Sequence, residues 1–284
     1  MYTIMGITGQ VGGAVARQLL AAGKPVRAVV RSHEKGQPWA DLGCEVAVAE
    51  VDDVRALTQA FQNSVAVFVL LPPNFSPSEG FTEARSVIAN LHSALATARP
   101  EKIVCLSTIG AQASQTNLLT QLQLLENSLS ELDLPVTFLR PGWFMENCLW
   151  DIQPATDTGV IQSFLQPLDK PVPMIATADV GRVAAELLQE HWLGKRVVEL
   201  EGEQAVTPEQ IATTLAELLD QPVTVQAVPR RDWEALFLAQ GMSNPLPRMQ
   251  MLDGFNQGWI RFEGVPRKGR VGLKTVLQGL LARG

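Results

Sequence analysis

The sequence predicts an α/β fold: a doubly wound parallel sheet with a smaller α+β substrate lobe. Three observations predict it. Short β-branched runs alternate with helical patterns through residue 201. A turn with glycine at every third position, Gly6-x-x-Gly9-x-x-Gly12, joins the first run to the first helix. Beyond residue 201 the alternation becomes less regular. Strands that alternate with helices form a parallel sheet covered on both faces.

The elements follow in order. Met1 to Thr8 reads as a short apolar strand, and Val15, Leu19 and Leu20 mark the helix behind the glycine turn. Further strands are predicted at 26–30, ending at Arg31; at 45–51, ending at Asp52-Asp53; and at 66–71, stopped by Pro72-Pro73. Two more run over 102–106, ending at Ser107-Thr108, and 136–139, ending at Arg140-Pro141-Gly142. Helical stretches fall at 54–61, 82–98, 117–132 and 179–190, and 195–200 reads as another strand. Thr207-Pro208-Glu209-Gln210 is a capping box with proline at the first helical position. Its helix reaches about residue 219 and precedes a short strand at 223–228. A helix from 232 to about 240, a Pro- and Met-rich stretch, and a last helix at 273–281 complete the chain. These patterns divide it into a larger part, 1–142 with 177–201, and a smaller lobe, 143–176 with 202–284. A cleft between the two is the expected substrate site.

Composition narrows the class. Hydrophobic residues make up 46% of the 284 and charged residues 18%, enough for a large core. A formal charge of −6 argues against nucleic-acid binding, which needs a basic footprint. No apolar run approaches the about 20 residues needed to span a bilayer, and nothing at the start resembles a secretion signal. Cys44, Cys105 and Cys148 are far apart, as expected of free buried thiols in a reducing cytoplasm. The three histidines lack metal-ligand spacing, so no metal is expected.

The glycine turn carries the first chemical expectation. Glycine allows the tight bend and close backbone approach, and the helix N-terminus offers unpaired N–H groups and partial positive charge. Gly6, Thr8, Gly9, Gln10, Val11 and Gly12 therefore make a candidate pyrophosphate cradle for a dinucleotide. At the end of the second strand, where an acidic residue would accept from a ribose 2′-hydroxyl, stand Arg31-Ser32, with Lys35 near. A guanidinium there suits a 2′-phosphate, so NADP(H) is expected over NAD(H). One of Asp52-Asp53 should cap the next helix while the other, Asp52 in our assignment, lies near the adenine. Ligands in such sheets bind beyond the carboxyl ends of the strands, which adds Leu71, Pro72, Pro73, Ser107 and Pro141 to the cofactor candidates.

The chain resembles the NmrA-like family of atypical short-chain dehydrogenases. The glycine turn, Arg31, Pro72-Pro73, Ser107-Thr108-Ile109-Gly110-Ala111 and Arg140-Pro141-Gly142-Trp143-Phe144-Met145-Glu146-Asn147 carry the resemblance. So do Thr177-Ala178-Asp179-Val180-Gly181 and Gly254-Phe255-Asn256-Gln257-Gly258. It implies a Rossmann-like fold and NAD(P) binding. One branch of the family contains NADPH-dependent quinone reductases, another regulatory NADP sensors. The wider superfamily's proton donor is the tyrosine of a Tyr-x-x-x-Lys motif. Aligned through Glu126, those positions hold Leu118 and Leu122, and the one tyrosine, Tyr2, lies in the first strand. General acid help is worth about 10²–10⁴ in rate, so alcohol or ketone chemistry by that route is not expected. Nor is epimerase chemistry, which relies on the same tyrosine. Quinone reduction evades the problem, because solvent can protonate the delocalised anion.

The expectation is therefore an NADPH-dependent reductase of quinones or similar small electrophiles. Thr108, Trp143, Phe144 and Asn147 are the substrate-positioning candidates; the two aromatics equally suit packing between lobes, and Asn147 a turn cap. The alternative is a non-catalytic NADP(H) redox sensor. A homodimer or a regulatory partner is compatible with either.

Overall fold

The structure is a computed structural model and describes residues 1–282. The chain opens with β1 (Tyr2–Ile4), α1 (Gln10–Ala21), β2 (Val26–Val30), α2 (His33–Asp41), β3 (Glu45–Val48), α3 (Val54–Phe61) and β4 (Ala66–Val69). It continues through α4 (Thr82–Ala98), β5 (Ile103–Leu106), α5 (Thr120–Ser130), β6 (Val136–Pro141), β7 (Trp143–Phe144), α6 (Leu149–Thr158), β8 (Val160–Ser163) and β9 (Met174–Ile175). Then come α7 (Thr177–Gln189), β10 (Lys195–Glu201), α8 (Pro208–Leu219), β11 (Thr224–Ala227), α9 (Trp233–Ala239), α10 (Leu246–Gln257), β12 (Arg267–Lys268) and α11 (Leu273–Leu281).

Eight parallel strands form the main sheet in the order β12-β10-β6-β5-β4-β1-β2-β3. Order reverses at β1, and a parallel sheet leaves its ligand crevice at such a point. Buried Val, Ile, Leu and Phe on both sides of the strands explain the unbroken apolar runs. On one face, Val15, Ala16 and Leu19 of α1 pack with Val180, Val183, Ala184 and Leu187 of α7. Gly181 lets the two helices touch, since a methyl there would collide with Ala14. On the other face, α3, α4 and α5 cover the sheet through Leu57, Phe61, Leu91, Leu95, Leu125 and Leu129.

A separate core holds the later segments together. Ile161, Ile211, Leu215, Trp233, Phe237, Met251, Phe255 and Leu277 belong to it, and so do Ile109 and Leu118 from the loop after β5. β8 pairs with β11 and β7 with β9, each in a two-stranded parallel sheet. The segment 202–284 is not confined to that smaller body, because β12 adds to the edge of the large sheet beside β10.

Several local expectations meet their physical cause. Asp53 caps α3, accepting from Ala56 N at 2.8 Å. Thr207 and Gln210 form the reciprocal capping box of α8. The helix expected at 117–132 is shorter, Thr120–Ser130, because the Asn117 side chain bonds backbone at both ends of its own turn. Three helices were not expected: α2, α6 and α10. Pro38 and Pro154 lie inside the first two, and prolines open the third. The three cysteines are free and buried. Among the described residues no helix is long and apolar enough to cross a membrane.

One half-buried acid makes the fold pH-sensitive. Burial pushes the Asp151 carboxyl, in the first turn of α6, up to about 7, against the lowering effect of its hydrogen bond with the Cys148 thiol. Between the ordinary carboxyl range and about 7 the native chain holds a proton that the unfolded chain has released, so this residue lowers stability as pH rises through that window. Asp151→Asn should match the parent protein near pH 4 and exceed it by about 1–3 kcal/mol near pH 8. Chemical unfolding at the two pH values checks this; an advantage that does not change with pH contradicts it.

Candidate functional site

The nucleotide end is built from the β1–α1 turn. Gly9 N donates to Gly6 O and Gly13 N to Gly9 O, each at 2.9 Å. Gly9 caps α1 without a side chain, and the first turn carries no acid. The N–H groups of Gln10, Val11 and Gly12 consequently have no partner among the described residues. Thr8, Gly9 and Gln10 are exposed around them, whereas Val11 is buried and offers only its amide. A methyl on residue 12 would lie 2.6 Å from the Gly6 carbonyl carbon, so only glycine lets the helix start this close to the turn. These features fit a pyrophosphate held by backbone amides at a helix N-terminus.

Beside this cradle, Arg31 follows β2 and is exposed. Ser32 caps α2, accepting from Lys35 N at 3.4 Å, and the Lys35 side chain is also exposed. Neither cation has an ion-pair partner among the described residues, and Glu34, exposed on the same turn, engages neither. Asp52 is exposed next to the cap residue Asp53.

The other end of the crevice lies past β4, β5 and β6. Leu71 packs half-buried on the α3–α4 core, and Pro72 and Pro73 start an exposed loop. The Ser76 hydroxyl accepts from Ser243 N at 3.0 Å and Asn244 N at 2.9 Å, while Asn244 Nδ2 donates to Pro77 O at 2.7 Å. Gln121 Nε2 donates to Asn74 O at 3.1 Å. The loop is therefore pinned both to α5 and to the segment before α10. It ends at Phe81, whose left-handed backbone (φ 59°) is held by burial of the ring.

Ser107 departs from the expectation that it faces the cofactor. Its buried hydroxyl donates to Glu126, because β-alternation turns it toward α5. Glu126 is paired bidentately with Arg140, Nε to Oε1 at 2.9 Å and Nη2 to Oε2 at 2.6 Å. Arg140 Nη1 reaches Glu263 Oε2 at 2.8 Å and Gln112 Oε1 at 3.1 Å. Glu199 receives the N–H groups of Glu263 and Gly264 at 2.8 and 2.7 Å. Burial works against the Arg140 charge, but Glu126 and Glu263 outweigh it and hold the guanidinium pKa above its ordinary value. Thr108, one residue on, is half-buried, and its hydroxyl bonds only the adjacent Ile109 carbonyl at 3.2 Å. Pro141 is buried, and its carbonyl accepts from Ile109 N at 2.8 Å.

Trp143 and Phe144 part company. Trp143 stands edge-on to Phe255, ring centroids 5.2 Å apart, in the smaller core. Phe144 packs against the α1–α7 core, so the two rings do not form one slot. Asn147 is exposed and its side chain makes no hydrogen bond among the described residues. Its neighbour Glu146, which sequence reasoning gave no role, accepts from Thr177 N at 2.9 Å and from the Thr177 hydroxyl at 2.6 Å. That hydroxyl lies 3.3 Å from the Gln10 carboxamide, so the Trp143–Asn147 block is hung from the start of α7 beside the cradle. Leu118 is buried with its N–H on Pro247 O, and Leu122 packs on the α4–α5 core.

A parallel sheet with an open helix N-terminus at its first βα turn, and a second core over its strand ends, defines a dinucleotide-binding protein of the doubly wound class. Residues 6–191 match the NAD(P)H-binding family, and the chain belongs to it. The NmrA-like resemblance read from the sequence stands with this result. The chain is 29% identical over 251 residues to quinone oxidoreductase 2 of Escherichia coli (strain K12), spanning 88% of this chain and 85% of that one. It is 27% identical over 248 residues to the NAD(P)H azoreductase of Xenophilus azovorans, spanning 87% and 83%. The NADPH complex of the Escherichia coli NADPH-dependent quinone oxidoreductase superposes with a TM-score of 0.78 at 27% identity, covering 99% of this chain and 95% of that one.

Removing Arg140 would leave Glu126 charged and buried. Arg140→Met should cost about 3–5 kcal/mol, and adding Glu126→Leu should recover most of it. Urea unfolding of the single and double variants tests this; a single variant within about 1 kcal/mol of the parent shows the pair is not sealed.

Proposed function

We propose that this chain binds NADPH in preference to NADH and delivers its hydride to a quinone or a similar flat, conjugated electrophile. The observation that carries the reading is the pairing of an open α1 cradle with Leu118 and Leu122, both packed against apolar cores, at the positions where the superfamily it resembles has its Tyr and Lys. NADPH, when bound, supplies the hydride. The amides of Gln10, Val11 and Gly12 hold the pyrophosphate, with Gly6, Thr8 and Gly9 shaping the turn around it. Arg31 and Lys35, free of ion pairs among the described residues, would hold the 2′-phosphate through charge-assisted contacts. Asp52 borders the adenine, and Leu71, Pro72, Pro73 and Pro141 border the nicotinamide half.

Trp143, backed by Phe255, offers an apolar wall for a flat acceptor, and Asn147 a free hydrogen-bond group for a carbonyl oxygen. The Thr108 hydroxyl needs only to leave its neighbour's carbonyl to orient the ring. No residue here can donate a proton near neutral pH at Leu118 or Leu122, so the acceptor must spread the arriving charge and take its proton from water. The named activities of the relatives, quinone and azo reduction, support such acceptors. The same two leucines favour a second reading, a non-catalytic NADP(H)-responsive regulator. We assign residues 1–142 and 177–201 to nucleotide binding and 143–176 with 202–284 to the substrate side.

Calorimetric titration with the four nicotinamide dinucleotides should give tighter binding of the phosphorylated pair by about tenfold or more. Arg31→Asp should erase or reverse that preference; a variant that keeps it refutes the Arg31 assignment. A quinone panel should consume NADPH, seen as loss of nicotinamide absorbance. Tight, redox-dependent binding with no turnover on any acceptor would favour the regulator.

A further inference from the structure

α10 carries a cation without a counter-charge. Arg248 lies in its first turn and is half-buried. The guanidinium stands over the Phe237 ring, 4.5 Å from its centroid. Its one hydrogen-bond contact is from Nη1 to the Met242 sulfur at 3.9 Å. No carboxylate among the described residues comes within ion-pair distance. Burial, with nothing opposing it, lowers its pKa.

A purely structural cation would have found partners. Lys170, also without an acid in the same body, donates to the carbonyls of Phe255 and Asn256 at 2.8 and 2.7 Å. The other Arg248 N–H groups have no such acceptor. They are not sealed in either: the unpartnered buried side-chain atoms of the described residues are Gln121 Oε1 and Trp192 Nε1. They therefore keep contact with solvent, and the Phe237 ring backs the guanidinium. A guanidinium so held is ready for an oxyanion in front.

Its place on the helix relates it to the cleft. Arg248 and Phe255 are seven residues apart, on one face of α10 and about 10 Å apart along its axis. Phe255 supports Trp143. The same end of α10 is joined to both loops past the strands: Leu118 N donates to Pro247 O at 2.8 Å, and Ser243 and Asn244 hold Ser76.

We propose that Arg248 is an anion subsite of the substrate cleft, taking a carboxylate, sulfonate or phosphate on the tail of an acceptor whose ring meets Trp143. This rests on the hydride-transfer reading above and adds a substrate class to it: flat acceptors with an anionic tail.

The test uses a benzoquinone bearing an ω-carboxyhexyl chain and its neutral primary amide, which share one redox ring. The parent protein should show a KM about tenfold lower for the acid. Arg248→Met should lose that difference with kcat for both compounds kept within about twofold. Arg248→Lys should keep part of it, since charge remains and the planar fork does not. Equal KM values in the parent, or a preference that survives Arg248→Met, overturn the proposal. A second arm needs no turnover: calorimetry of NADP+-loaded protein with the redox-inert ω-phenylalkanoate of matching chain length, against its amide. Tighter binding of the acid by the parent alone upholds the subsite even where neither quinone is reduced, a result that removes the hydride reading instead. Equal binding of acid and amide removes the subsite.

Discussion

The first helix can open directly against the β1 turn because residue 12 has no side chain. Any Cβ there would press into the carbonyl group of Gly6 and against Met5 O. Close approach aims three unpaired amides at one point, and the absence of an acid in the first turn leaves their partial charge uncancelled. Other parts take their position from that helix. α7 packs against α1 through Ala14 and Gly181 with no room for a larger residue. The start of α7 then fixes Glu146 through Thr177, and Glu146 sets the register of the block from Trp143 to Asn147. The β1–α1 turn and the Trp143–Asn147 block are thus two ends of one chain of contacts.

Arg140 makes a second joint from the opposite face of the sheet. A buried ion pair of this kind contributes little net stability, because desolvation offsets its Coulomb attraction. Its consequence is geometric. The guanidinium reads Glu126 on α5, Gln112 in the loop after β5 and Glu263 ahead of β12, and each contact fails if one partner shifts by about an ångström. Glu199 repeats the tie by holding the backbone of residues 263–264. The loop bearing Thr108 is therefore fixed at its base, while its far side sits in the smaller core through Ile109 and Leu118.

What the sequence reveals follows what physics makes local. Strand and helix periodicities, the glycine turn, the Asp53 cap and the Thr207 capping box act over a few residues and are legible. The glycine turn marks β1, but the order of the strands around it is not legible. Nor is the pairing of β12, because a two-residue strand has no periodicity to read. Prolines hid α2, α6 and α10: proline argues against helix, and only tertiary packing of Trp39, Ala155 and Met251 overrides it. In the site, Trp143 and Phe144 were read together although adjacent strand residues face opposite ways, and this alternation separates them. Nothing near Ser107 in sequence signals that its hydroxyl donates to Glu126, 19 residues on. Glu146 takes its role from Thr177, 31 residues along the chain, so no local signal could find it.

The site's chemistry is bounded by what cannot be repaired nearby. Leu118 is buried among Ile109 and the α10 methionines, and Leu122 faces the α4–α5 core. A neighbouring side chain would have to cross packed apolar groups to replace a phenol there. The chain's single tyrosine, Tyr2, opens β1 at the end of the sheet opposite the turn. The Thr108 hydroxyl is an ordinary alcohol and no acid at neutral pH. An acceptor that becomes a localised alkoxide on reduction would meet nothing to stabilise it. On the reading proposed above, one that becomes a delocalised anion needs only a wall, an orienting hydrogen bond and access to water, and Trp143, Thr108 and the exposed Asn147 would provide those three things.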